Sequence, residues 1–191
     1  MHATSLPINP STLQPFNQLI LVTSTSIDDA HQRVQKLAED DFDEIMEQFS
    51  EEQPYLFAYV TALSEELPDT GPREWMILMT LVVWHSYRIE TEQIPLVEES
   101  VIIEIENENY DRAEEMELIG EEDVFSKIAD MIANFNQVEL YKYISVEIID
   151  MENQELETES ERWQAYSFAI LQVVIESFDK AINFKNWYSL N

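Results

Sequence analysis

Residues 74–90 read EWMILMTLVVWHSYRIE, and apolar side chains recur in that stretch on every side of a helical wheel. A helix of this kind has no polar face to turn toward water, so it is stable only with other helices packed around it. Pro72 stands where a missing N–H costs nothing at a helix start, and Pro95 closes the segment. The apolar run at 75–84 is far shorter than the ~20 residues needed to cross a bilayer. A second stretch of the same character, RWQAYSFAILQVVIESFDKAINF at 162–184, lies near the end of the chain. Two such helices predict an all-α fold, a bundle of about six helices with this pair at its centre.

The rest of the chain agrees. Only two glycines occur in 191 residues, so the long segments have few breakers, which favours helices over short strands and tight turns. Residues 1–25, with Pro7, Pro10 and Pro15 among Ser, Thr and Asn, read as an extended arm whose apolar patch, Leu19 to Val22, is placed to dock on the body. Residues 26–191 read as one domain. Ser26, three residues before Asp29, is expected to cap the first helix. Its apolar stripe runs through Val34, Leu37, Phe42, Ile45, Met46 and Phe49, with one five-residue gap across an acidic patch, and a break is expected at residues 50–53. Pro54 opens a helix to about Leu67. Residues 96–119 read as helix rather than strand, since Glu, Ala and Met favour helix and no second strand offers a partner. Gly120 marks a turn, 124–135 and 138–151 give two more helices, and a capping box at 158–161 opens the last one.

One phrase occurs twice. QPYLFAYV at 53–60 returns as QVELYKYI at 137–144. Ile45, Met46 and Phe49 similarly match Met131, Ile132 and Phe135, and Trp75 matches Trp163, each tryptophan leading one of the two apolar helices. Three elements recurring in one order predict an internal duplication of three-helix units, with halves at 26–95 and 120–191 joined by the acidic segment 96–119.

Charge limits the functions. Ten basic against 39 acidic residues give a formal charge of −29, while 45% hydrophobic content supplies a core. Clustered Lys and Arg for phosphate are missing, which disfavours nucleic acid and anionic membranes and favours a basic protein partner. Residues 1–27 contain no charged side chain, so the basic start of a secretory signal is absent and the expected location is cytoplasmic. Without cysteine there is no disulfide, thiolate metal site or cysteine nucleophile.

Candidate chemistry is sparse. The histidines are His2, His31 and His85, with no pair at ligand spacing, so no metal or other cofactor is expected. His85 lies on one face with Leu78, Val82 and Ile89; it acts as a general base only if a carboxylate orients it, and otherwise reads as a core histidine satisfied by a carbonyl or acid. Glu176, inside the last apolar run, reads as a carboxylate paired with a base or reaching solvent. The connector at 150–161 resembles a calcium loop in its oxygen donors, but Glu155 stands where the sharp turn needs glycine. Two glycines cannot build a phosphate loop.

The acidic stretch 98–123, twelve acids against one arginine, is the strongest remaining feature. As a recognition surface it nominates Glu104, Glu106, Glu108, Asp111, Glu114 and Glu115 for contact with a basic partner. The expected function is therefore a non-enzymatic interaction module. The alternatives are an acidic inhibitor, immunity or DNA-mimic protein, and an enzyme with an inter-helix pocket using His85.

Overall fold

The computed structural model describes residues 19–67, 70–117, 135–152 and 160–188, and the described residues form helices and connectors without a strand. In chain order the helices are α1 (Ser24–Gln35), α2 (Glu39–Glu52), α3 (Pro54–Ser64), α4 (Thr70–Glu90), α5 (Glu99–Glu117), α6 (Val138–Glu152) and α7 (Ser160–Tyr188). The expected turn at Gly120, the body of the helix at 124–135 and most of the capping box at 158–161 lie outside the described residues.

The two all-round apolar stretches are α4 and α7, and they pack on each other at the centre. Trp84, Tyr87 and Leu81 of α4 and Leu171, Ile175 and Phe178 of α7 are fully buried. The Tyr87 and Phe178 rings lie 5.3 Å apart, and the Tyr87 hydroxyl donates to the Ile175 carbonyl at 3.1 Å. That bond satisfies the one polar atom of a side chain otherwise valued for its apolar area; burying each such side chain contributes roughly 1.5–3 kcal/mol. Around this pair, α1 and α3 pack on α4, and α5 and α6 pack on α7.

Several boundaries differ from the sequence reading. The first helix begins at Ser24, not Ser26, because Thr23 is its cap: the Ser26 amide donates to Thr23 Oγ1 at 3.2 Å. The expected single helix through Phe49 is two, α1 and α2, broken at residues 36–38. The five-residue gap in the apolar stripe is that break, since Leu37 turns onto the core from the connector. No break occurs at residues 50–52, which belong to α2, and only Gln53 separates α2 from α3. α3 ends at Ser64 rather than Leu67, and α4 starts at Thr70, ahead of Pro72.

Two extended segments are held in the same manner. Gln53, buried at the head of α3, donates from Nε2 to the Pro95 carbonyl at 3.0 Å and accepts from the Val97 amide at 3.0 Å. Gln137, buried at the head of α6, donates to the Ile20 carbonyl at 2.9 Å and accepts from the Val22 amide at 2.9 Å. Each glutamine thus satisfies a carbonyl and, two residues on, an N–H of a strand-like segment that has no sheet partner. Asp179 steadies the second bracket, accepting from Gln137 at 2.6 Å and from Asn183 at 2.7 Å, while Asn183 also grips both backbone groups of Ile20. The apolar patch at 19–22 is therefore docked on the body through Val22, with Leu19 and Leu21 turned outward.

Candidate interaction surface

α5 carries the described part of the acidic stretch, and its inward side is apolar: Ile102 and Ile105 are buried against the body. Its single arginine also points inward. Arg112 Nη2 lies 2.6 and 2.9 Å from the two Glu176 oxygens on α7, and Glu176 Oε1 further accepts from Tyr141 at 2.9 Å and Gln172 at 2.9 Å. Arg112 also donates to Asn109 and lies over the Phe135 ring, 5.4 Å from its centroid. Burial, with the Glu176 charge second, pushes the Tyr141 phenol far up, so Tyr141 stays a donor to that carboxylate. Glu176 is therefore a paired carboxylate, the structural role expected for it, and no free acid for catalysis.

With Arg112 committed to Glu176, the outward side of α5 is left to its acids. Glu104 and Glu108 sit on the edge facing α7, where Lys180 reaches them at 2.8 and 3.6 Å. Glu106 sits on the opposite edge and accepts from the Tyr59 hydroxyl of α3 at 3.4 Å. Burial and then Glu106 push the Tyr59 phenol well above its ordinary value, so it too remains a donor. Asp111 and Glu114 are exposed and form no ion pair among the described residues, and the Glu115 side chain lies outside them.

The sequence reading missed the apolar part of this surface. Ile103 is 51% exposed and Tyr110 is 70% exposed, one above the other on the outer stripe of α5. Gln53 meets residues 95–97 and Tyr59 meets Glu106, so α3 and α5 run side by side in the same direction. Tyr55, also exposed, therefore flanks the first turns of α5, and Ala58 and Ala62 continue an open apolar stripe along α3. The signal was present in the seven-residue spacing of Ile103 and Tyr110, masked by the acids between them.

His85 lies elsewhere. It is 3% exposed, its ring lies 4.8 Å from that of Trp84, and its Nε2 has no hydrogen-bond partner among the described residues. Burial first, and Arg33 and Arg88 second, pull its pKa down to about 4. The expectation that a carbonyl or acid satisfies it does not hold at Nε2. Its sequence neighbours on that face divide: Val82 is buried, but Ile89 is half exposed.

Neither of two hollows lined by described residues includes His85 or Glu176. A small apolar one lies between α2, α3 and α4, bounded by Phe49, Phe57, Val60 and Thr80. The larger, about 240 Å³, is an open groove between α1 and α6. No group of three His, Asp or Glu among the described residues is arranged to hold a metal ion, and most of the connector at 150–161 lies outside them. No described helix is long and apolar enough to cross a membrane. Comparison with protein-family models, with curated proteins and with solved structures finds no match to this chain.

Proposed function

We propose that this chain is a duplicated, non-enzymatic interaction module whose α3/α5 face receives a basic, amphipathic partner. The observation that carries the reading is the division of labour on α5. Its one arginine is spent inside on Glu176, while Ile103 and Tyr110 stand exposed among Glu106, Asp111 and Glu114. An exposed aromatic anchor rimmed by carboxylates suits a segment that presents apolar side chains flanked by Lys or Arg. A net charge of −29 draws such a partner in from a distance and speeds its encounter.

The duplication is supported by more than the repeated phrase. Buried Val22, Ile27 and Ala30 correspond at one constant spacing to buried Val97, Ile102 and Ile105, and buried Leu56 and Val60 correspond to Leu140 and Ile144. The two glutamine brackets correspond as well, and each grips the leading segment of the other half. On this reading the halves are 20–90 and 95–188, so α5, which makes up most of the acidic segment, is the first helix of the second half and not a joiner.

The test is affinity capture from a native lysate at low and moderate salt, followed by binding of the purified partner to variants. Tyr110→Ala and the pair Asp111→Lys with Glu114→Lys are each expected to weaken binding at least about tenfold, with the wild-type affinity falling as salt rises. Charge reversals on α5 that leave the affinity unchanged would remove the proposal.

A further inference from the structure

We infer that the groove between α1 and α6 is a second docking site for a basic, amphipathic segment, which makes the module bivalent. This rests on the α3/α5 reading above, and it starts from where exposed apolar side chains fall. Tyr55, Ile103 and Tyr110 stand exposed on α3 and α5 with Leu96 just ahead of α5, and Val146 stands exposed on α6 with Leu19 and Leu21 just ahead of α1; Ile89 of α4 and Ile149 of α6 are exposed as well. Leu21 and Leu96 hold the same place, each exposed and each one residue before the buried valine of a bracketed segment. Tyr143 of α6 and Tyr59 of α3 hold the same place too. Each hydroxyl is engaged by the neighbouring helix, Tyr143 with His31 of α1 and Tyr59 with Glu106 of α5.

The second face holds an open groove. Where α3 has Ala58 and Ala62, α6 has Lys142 and Val146, and these larger side chains raise a wall beside the groove of about 240 Å³. Val146, half exposed, supplies the accessible apolar lining above the buried Ile27, and Asp28 and Glu139 supply carboxylates. Lys142 pairs with Glu139 at 2.8 Å, which leaves Asp28 available, with Glu147 nearby at 4.0 Å from His31 Nδ1. An apolar side chain seated against Val146 and Tyr143, with an ammonium or guanidinium reaching Asp28, fits this lining. A second copy of the chain does not, because two bodies each carrying −29 repel.

The probe is a short helical peptide of leucine and lysine with its leucines on one face, and a control of the same composition with the leucines spread around the helix. Amide-resolved NMR titration locates the sites, and sedimentation gives the stoichiometry. Two peptides per chain are expected, with saturable shifts at both faces. Val146→Lys should weaken only the α1/α6 site, and Ile103→Lys only the α3/α5 site, each by at least about tenfold. One peptide per chain with shifts confined to α3/α5 overturns bivalency and leaves the first reading standing. Shifts confined to α1/α6 do the reverse. Diffuse, unsaturable shifts, or equal binding of the control, overturn both. Self-association through α1/α6 without peptide shifts there overturns this inference in favour of a second copy.

Discussion

Gln53 and Gln137 stand at the heads of α3 and α6, and each spans the backbone of an extended segment distant in the chain with one accepted and one donated hydrogen bond. A side-chain amide has the donor and acceptor that a neighbouring strand would offer, so it can hold a strand-like segment inside an all-helical body. The brackets tie residues far apart in sequence, and their loss frees the extended segments at 20–22 and 95–97.

Replacing either glutamine with alanine leaves buried backbone groups without partners, at about 1–3 kcal/mol for Gln53→Ala. Gln137→Ala should cost more, roughly 2–4 kcal/mol, because Gln137 also donates to Asp179 within the network around Asn183. Urea unfolding of the two variants checks this order. Costs below about 0.5 kcal/mol would mean that water replaces both brackets freely.

Arg112 and Glu176 form the most buried ion pair among the described residues, with the carboxylate also serving Tyr141 and Gln172. Removing either partner leaves the other charge stranded, and partial exposure of Arg112 limits the cost of each single change to about 2–3 kcal/mol. The double variant Arg112→Met with Glu176→Leu should then cost clearly less than the two single changes together. Strict additivity in a double-mutant cycle would show that the pair is not coupled.

The central pair α4 and α7 was legible in the sequence because a helix apolar on all sides has only one stable environment. The helical reading of the acidic segment also held, since propensity and the missing strand partner both favoured it. The α1/α2 break was visible as a gap in the stripe but was read through, because Lys36, Leu37 and Ala38 include no glycine or proline to mark it. The brackets were out of reach: glutamine has no positional signature, and its partners here lie 42 to 117 residues away. For α5, pattern gave the acids, but not which of them Lys180 and Tyr59 engage, nor that Arg112 turns inward.

His85 makes the fold sensitive to acid. Its folded pKa, near 4, lies below the ordinary histidine value, so the unfolded chain takes up a proton first as pH falls. Its contribution is complete above about pH 6.5 and is lost as pH falls toward 4, amounting to roughly 3 kcal/mol. His85→Phe keeps a ring beside Trp84 and removes the titration. Compared with wild type, the variant should be within about 1 kcal/mol at pH 8 and gain steadily on acidification. A stability difference that stays flat from pH 8 to pH 4 would show that His85 protonates equally well in the folded state.

Salt should stabilise this protein. Thirty-nine acids on a body with ten bases repel one another, and a Debye length of about 10 Å at 0.1 M salt cuts that repulsion between neighbouring helices. The opposing effect is the weakening of surface ion pairs such as Glu139–Lys142 and Glu104–Lys180, each worth about 0–1 kcal/mol or less. Repulsion dominates because acids outnumber bases nearly fourfold. Chloride is the proper anion for the test, since sulfate raises stability by exclusion from any protein surface and would mimic the effect. Raising sodium chloride from about 0.01 to 0.2 M should lift the thermal midpoint by about 5 °C, which corresponds to roughly 2 kcal/mol for a chain of this size. A midpoint that stays put or falls would mean that the acids are spaced widely enough not to strain the fold.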